Sequence, residues 1–242
     1  MGSLKTQAVV LRYANYKDYD RILTLYSKEY GRIVANARGC RRPKSRLLAC
    51  SQLFCFGEYV FNQKSERLSV TSCEIMDSFF DVSTGVDTFA YAEFILNVCE
   101  EAALPGEGSA EIFSLLVRTL SELCSGKRNP LAITVYFMLK LMDISGYRPN
   151  LDCCSHCGKG GETAYFSARD GGVICRECRA DDSVRVSPEA VRAASCLLNG
   201  DMEAINAVPA GLFKEIAAFL FNYVECKFEK RFKSRAFLCH IA

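Results

Sequence analysis

Residues 6–46 read TQAVVLRYANYKDYDRILTLYSKEYGRIVANARGCRRPKSR. Three short runs rich in Val, Ile, Leu and Tyr (6–13, 20–27 and 31–37) are separated by turn residues, Asn15 and Gly31 among them. Such runs read as β-strands. Two more follow, LFCFGEYVF at 53–61 and RLSVTSCEI at 67–75, with Asn62 between them. Five short strands in about eighty residues predict a small barrel, because closing the sheet removes its unpaired edges. The stretch between the third and fourth strands is long for a strand connection, and loops of that kind are more often functional than structural. Its segment 37–46 carries five cations, Arg38, Arg41, Arg42, Lys44 and Arg46, and no acid.

That concentration stands out against the whole chain, whose 242 residues carry a formal charge of only +2. Residues 1–80 hold 13 Lys/Arg against 7 Asp/Glu, residues 81–150 hold 5 against 9, and the remainder balances at 12 against 12. A basic module on a near-neutral chain points to a polyanion, since each phosphate contact releases a counterion. Charge alone is read first as a solvated surface. A hydrophobic content of 50% suffices for a sizeable core in one or two domains with a small insert. The start MGSLKTQAVVLRY has no apolar leader, and LAITVYFMLKLM is too short for a membrane span and contains Lys140.

From about residue 86 the periodicity becomes helical. In SAEIFSLLVRTLSELCSG (109–126), Ile112, Leu115, Leu116, Thr119 and Leu123 share a face, with Ser109 as cap and Gly126 as stop. NPLAITVYFMLKLMDISG (129–146) has Asn129 as N-cap, Pro130 in the first turn and Gly146 past the end. It is apolar nearly all round and reads as a buried central helix. SPEAVRAASCLLNG (187–200) repeats these signals with Ser187, Pro188 and Gly200, and a last helix is expected through residues 211–232.

Residues 150–182 differ. They are rich in Gly and Cys and too polar to build a core, so they need a staple. Cys154-Ser155-His156-Cys157 and Cys175-Arg176-Glu177-Cys178 are two CxxC units separated by 17 residues. Each unit brings two thiolates to one ion, and together they complete a tetrahedral S4 set, for which zinc is the default metal. Four thiolates leave no open coordination position, so the expected ion is single and structural. Cys153 lies out of register, and His156 reads as a solvent-exposed bystander. The other cysteines (40, 50, 55, 73, 99, 124, 196, 226 and 239) sit mostly beside apolar residues, as small core side chains in a reducing cytosol.

Nothing assembles a convincing active site. There is no GxxxxGK[ST] phosphate loop and no HExxH, and the two histidines are His156 and His240. Asp18 and Asp20, beside Lys17 and Arg21, read as a charged turn before a strand rather than a catalytic carboxylate pair. The chain is expected to bind rather than catalyse.

At this point the motifs, in order, resemble the RecO family of bacterial recombination mediators. The resemblance runs through AVVLRYANYKDYDRILTLYSKEYGRIVANARGCRRPKSR, then LDCCSHCG and YFSARDGGVICREC, then YVECKFEKRFKSRAFL, nearly the whole length. It implies an α+β multidomain protein: an OB-fold β-barrel over residues 1–80, then an α-helical bundle over 81–149 and 183–242, with a zinc ribbon inserted at 150–182. It implies a non-enzymatic, cytoplasmic, nucleoid-associated bacterial protein acting in DNA repair. Such proteins bind single- and double-stranded DNA, anneal complementary strands, engage RecR and the tail of the single-stranded DNA-binding protein (SSB), and help load RecA.

An OB barrel holds single strands with a basic groove and stacking aromatics. Arg38, Arg41, Arg42, Lys44 and Arg46 would then contact phosphates, with Gly39 and Pro43 shaping the loop. Tyr13, Tyr16, Tyr19, Tyr26 and Tyr30 are stacking candidates, though any one of them is read first as packing. Lys227, Lys230, Arg231, Lys233 and Arg235 form a second basic cluster, read equally as complement to a helix C-terminus and as an extension of the DNA path. For the acidic SSB tail, Arg118, Lys127, Arg128 and Lys140 are the candidate cations. Two competing expectations stand beside this one: a zinc-ribbon OB protein acting on RNA, and a thiol-redox or hydrolytic enzyme built on the cysteines.

Overall fold

A computed structural model describes residues 2–160 and 163–238. Cys239 and His240 therefore lie outside the described residues. The chain divides into two compact units, residues 1–125 and 126–242.

The first unit is a five-stranded barrel with two helices. Its strands are β1 (Gly2–Tyr16), β2 (Asp20–Ser27), β3 (Gly31–Ala37), β4 (Phe56–Lys64) and β5 (Arg67–Asp77), closed in the order β1-β2-β3-β5-β4. β1 is long enough to serve two neighbours. Gly2–Val9 pair with β4 and Ala8–Tyr16 pair with β2, with a bulge between Val10 and Arg12 that bends the strand from one partner to the other. The closing seam is the parallel pairing of β3 with β5, Ala35 opposite Leu68. This Greek-key closure is the OB fold. Alternate residues turn inward, so Val10, Leu23, Leu25, Ile33, Ala35, Tyr59, Phe61 and Val70 fill one core. Cys40, Cys50 and Cys55 join them as small apolar groups.

Helices α1 (Val86–Ala102) and α2 (Ala110–Ser125) belong to this unit. Tyr26, on the outer side of β2, packs against Phe113 of α2, and Phe113 meets Phe56 edge-on; Phe54 meets Phe89 of α1 at 90°. These aromatics tie the helices to the barrel. The connection between the helices is tied as well. The Arg32 N–H donates to the Leu104 carbonyl at 3.2 Å and the Gly106 N–H to the Tyr30 carbonyl at 3.0 Å. Gly31, at φ +61°, allows this approach, because a Cβ there would collide with the carbonyl oxygens of Leu104 and Glu107. Gly31→Ala is expected to cost at least about 2 kcal/mol through left-handed strain plus backbone collision. A urea melt reads it as a lowered midpoint at unchanged slope.

The second unit is built on α3 (Pro130–Ile144), with α4 (Pro188–Asn199) and α5 (Ala210–Lys227) packed against it. The α3 helix is buried on nearly all sides, as its apolar sequence predicts. Its cap is the expected one, with the Asn129 side chain accepting from the Leu131 N–H at 2.8 Å. Ser187 caps α4 by accepting from the Ala190 N–H at 3.1 Å. A three-stranded sheet, β6 (Thr163–Ser167), β7 (Gly172–Cys175) and β8 (Val184–Arg185), runs in the order β7-β6-β8. It rests on α5 through Phe166, stacked 4.5 Å from Phe219 and edge-on to Tyr223.

The last helix differs from expectation. It stops at Lys227, and a short helix α6 (Lys233–Leu238) follows. The cause is Glu225, whose carboxylate accepts from the Phe232 N–H at 2.9 Å and pairs with Arg235, drawing the chain back on itself. The Lys230 N–H closes the turn on the Glu225 carbonyl at 3.0 Å, with Glu229 at φ +50°.

Candidate metal centre and nucleic-acid interface

Cys154, Cys157, Cys175 and Cys178 converge, with their sulfurs all within 4.8 Å of one another. The first knuckle is shaped by Gly158 at φ +72°, which lets its N–H reach the Cys154 carbonyl at 2.8 Å. The second is delivered by β7, and the Cys175 N–H donates to the Cys154 sulfur at 3.4 Å. Cross-links hold the two together: the Ser155 N–H donates to the Val173 carbonyl at 2.8 Å, and the Val173 N–H to the Asn150 carbonyl at 2.8 Å. Cys157 and Cys175 sulfurs stand 3.9 Å apart. A tetrahedral S4 site with metal–sulfur bonds near 2.3 Å requires a sulfur–sulfur edge of about 3.8 Å.

The electrostatics also fit an ion. Burial pushes the Cys154 thiol up, but N–H groups of Cys157, Cys175 and His156 directed at its sulfur overcome this and hold it down, to about 6. The Cys178 thiol is pushed the other way, to about 12, by its contact with Cys175 and by burial. A set that cannot shed all its protons alone is one that a cation completes. Cys153 is turned to Asn150 and stands outside the cluster. His156 is exposed, 3.9 Å from Asp170.

In the barrel unit, Arg38, Arg41, Arg42, Lys44 and Arg46 are all exposed. Their backbone is anchored. The Gly39 N–H donates to the Asp20 carboxylate at 2.8 Å, the Arg41 N–H to the Tyr19 carbonyl at 3.0 Å, and Cys40 is fully buried between them. Asp20 is therefore the loop's anchor, and the reading of Asp18 and Asp20 as a charged turn fits. The turn's own aromatics stay outside: Tyr13, Tyr16, Tyr19 and Tyr30 are exposed. Arg21 lies over the Tyr13 ring at 3.9 Å and Arg42 over Tyr19 at 5.3 Å. Tyr26 is a correction to the stacking candidates. It is 1% exposed, and burial raises its hydroxyl to about 12. The outward side of that strand is covered by α2, so a residue facing out of the barrel is still in the core.

Two grooves flank the β4–β5 hairpin. One, about 650 Å³, is lined by Arg38, Lys64, Ser65, Glu66, Arg67 and Ser69. The other, about 610 Å³, runs over the outer face of the barrel past Arg12, Arg32, Tyr30 and Val34. Lys64 and Arg67 were missed in the sequence because they stand alone there; only the hairpin, which pairs Lys64 with Arg67, sets them beside Arg38. Arg12 is held bidentately by Glu100, at 3.0 and 3.2 Å. If this cleft carries phosphates, Lys64→Ala with Arg67→Ala lowers single-strand affinity about tenfold, at roughly 0.5–1 kcal/mol per contact, as read by fluorescence anisotropy.

The C-terminal cations do not form one face of a helix. Lys227 ends α5, with its ammonium on the Arg169 carbonyl at 3.4 Å. Lys230, Arg231 and Lys233 are exposed in the turn and at the start of α6. Arg235 is committed to Glu225 and Asn222. Among the proposed partner cations, Arg118 is exposed on α2 and Lys127 is exposed just before α3. Arg128 is bound to Glu203 at 2.7 Å and Asn206 at 3.3 Å. Lys140 donates to the Leu198 carbonyl at 2.7 Å, and burial lowers its pKa. Arg128 and Lys140 are thus both engaged inside the second unit. No helix among the described residues is long and apolar enough to cross a membrane.

A closed OB barrel carrying a basic loop, followed by a helical unit with a four-cysteine ribbon, defines an OB-fold protein with one candidate metal centre. Comparison with known proteins is more particular. The profile described as "Recombination protein O N terminal" matches residues 1–79, and "Recombination protein O C terminal" matches residues 84–236. The DNA repair protein RecO of Acetivibrio thermocellus is 29% identical over 98% of this chain and 97% of its own length. That of Desulfitobacterium hafniense is 36% identical over 85% of this chain and 77% of its own, and that of Alkaliphilus metalliredigens 34% over 84% and 83%. The chain belongs to the RecO family of DNA repair proteins.

Proposed function

We propose that this chain is a DNA repair and recombination mediator that binds single- and double-stranded DNA, anneals complementary strands and, with RecR, helps load RecA onto SSB-coated single strands. The observation that carries the reading is the basic loop: five exposed cations on a backbone pinned by Asp20 and Cys40 to an OB barrel. Arginine forks bridge phosphate oxygens and carry no base information, so binding is sequence-tolerant and salt-sensitive. The exposed Tyr16 and Tyr19 beside the loop supply sequence-tolerant stacking. Annealing requires two strands held together. The barrel would hold one and the exposed Lys230, Arg231 and Lys233 the other. For an SSB tail the candidate cations are the exposed Arg118 in the first unit and, separately, the exposed Lys127 in the second; Arg128 and Lys140, the other two candidates, already hold Glu203 and the Leu198 carbonyl.

The four-cysteine centre is proposed to hold one zinc ion. Closed by four sulfurs, that ion supplies no chemistry at substrate and cross-links the two knuckles. No step of annealing forms or breaks a covalent bond, so the proposed work asks for no covalent chemistry from the protein.

The test is an annealing assay with two complementary fluorescent strands precoated with SSB. The protein is expected to accelerate duplex formation, and the same strands made as RNA are expected to anneal less well. Equal rates with and without the protein, or a preference for RNA, would overturn the reading.

A further inference from the structure

The end of β5 and the turn that follows it hold apolar side chains in solvent. Among the described residues, Phe80 and Val86 are the most exposed large apolar side chains, at 69% and 72%, and Ile75 and Met76, just before them in the chain, are exposed as well. Two backbone irregularities accompany this exposure. The register of β5 slips at its end, with Ile75 opposite Gly57 but Asp77 opposite Phe56. Met76 is the extra residue of that bulge, so two successive apolar residues, Ile75 and Met76, escape the inward alternation of a strand. The Gln7 amide donates to the Met76 sulfur at 3.7 Å. Phe79 then takes a left-handed backbone at φ +45°, unfavourable for a residue with a Cβ. The Asp77 carboxylate holds it there by accepting from the Phe79 N–H at 2.9 Å. Phe79 is buried and stacked on Phe56 at 6.4 Å, while Phe80, which starts the short 3-10 turn Phe80–Thr84, stays in solvent. Strain of this kind persists where the surroundings impose it, and it clusters at functional sites. The turn packs on α1 and α2, which give it a firm floor within the first unit.

The charge along this stretch has one sign. Residues 68–117 carry nine Asp/Glu and no Lys or Arg. Glu74, Asp77, Asp81 and Asp87 are interleaved with the four apolar residues, and all four acids are exposed. Lys5, two strands away on β1, is held by Glu58 at 2.6 Å. Exposed apolar groups with a polar rim mark a protein-interaction site, and an acidic rim repels phosphate and favours a cationic partner. We propose that Ile75, Met76, Phe80 and Val86, rimmed by Glu74, Asp77, Asp81 and Asp87, form a docking site for a lysine- or arginine-rich protein segment that carries apolar side chains among its cations. Phe80 and Val86 supply the buried contact, Met76 adapts its unbranched side chain to the partner, and the acids steer it. The charge is opposite to that of the basic loop, so the site serves a protein rather than DNA.

The probe is a fluorescent amphipathic peptide of lysine and leucine alone, titrated by anisotropy onto the full chain, with hydrogen exchange locating where it sits. The expected result is binding that salt weakens, with amide protection over residues 75–87. A peptide with serine in place of leucine should bind at least about tenfold more weakly. Phe80→Ser combined with Val86→Ser should lose affinity for the lysine–leucine peptide by a similar factor. Both side chains are exposed, so circular dichroism and single-strand DNA affinity should stay unchanged. Asp81→Asn with Asp87→Asn should flatten the salt dependence. Equal affinity of the natural chain and the Phe80/Val86 variant, no binding to either, or protection elsewhere overturns the proposal. So does DNA affinity that falls in that variant, which would place the patch on the DNA path. Self-association that the variant abolishes would make the occupant a second copy of this chain, and overturns it too.

Discussion

Removing the metal, by chelation or by Cys175→Ser, will lower the melting temperature of the second unit by roughly 10 °C, a loss of about 4 kcal/mol. Apart from the ion, the ribbon is held by three short strands, a few backbone cross-links between its knuckles and a small apolar set, Val173, Ile174 and Phe166 on Phe219 and Tyr223. Without the ion, four thiols within 4.8 Å must share that space. The Cys154 thiol, held low by N–H groups pointed at its sulfur, would be a thiolate with no cation. The knuckles then separate and expose Phe166. The basic loop belongs to the other compact unit, so single-strand affinity should fall less than the melting temperature does. Differential scanning calorimetry with and without chelator, beside a DNA titration, makes the comparison. An unchanged melting profile would remove the structural ion from the account.

The second large effect belongs to the loop. Changing Arg38, Arg41, Arg42, Lys44 and Arg46 together to alanine should weaken single-strand binding about a hundredfold, at roughly 0.5 kcal/mol per screened contact. The fold should survive. All five side chains are exposed, and what holds the loop is not among them: the Asp20 carboxylate on the Gly39 N–H, the buried Cys40, and the Ser45 hydroxyl accepting from the Leu47 N–H at 3.2 Å. Among the described residues, the Arg41 guanidinium bonds the Asp18 carbonyl at 3.2 Å and Arg42 lies over the Tyr19 ring at 5.3 Å, and exposed contacts of these kinds are weak. Circular dichroism should therefore superimpose while affinity drops.

Local chemistry was legible in the sequence, and long-range geometry was not. Two CxxC units specify a four-sulfur centre because the spacing within each unit sets its bite, and the cluster forms without Cys153. Asn129 and Ser187 announce their helices because a cap is a bond between near neighbours. The five strands could be read, but not the parallel seam of β3 on β5 that makes the barrel an OB fold, since that pairing joins residues with no local mark. Tyr26 looked like its exposed neighbours because nothing in the strand says that α2 will cover it. Lys64 and Arg67 looked isolated until the hairpin carried them to Arg38. The final helix breaks because Glu225 accepts from Phe232 seven residues on, a tertiary preference that overrode a helical sequence.

Phosphate contact by the basic loop is measured most directly as the slope of log affinity against log salt for a fluorescent single strand, taken on the natural chain and on the five-alanine variant. Each phosphate contact contributes about 0.7 to that slope on single strands, so losing five should flatten it by about 3.5. A shallower slope of that order, with the fold intact, is the predicted result. Two superimposed curves would contradict the account and leave the loop as solvated surface.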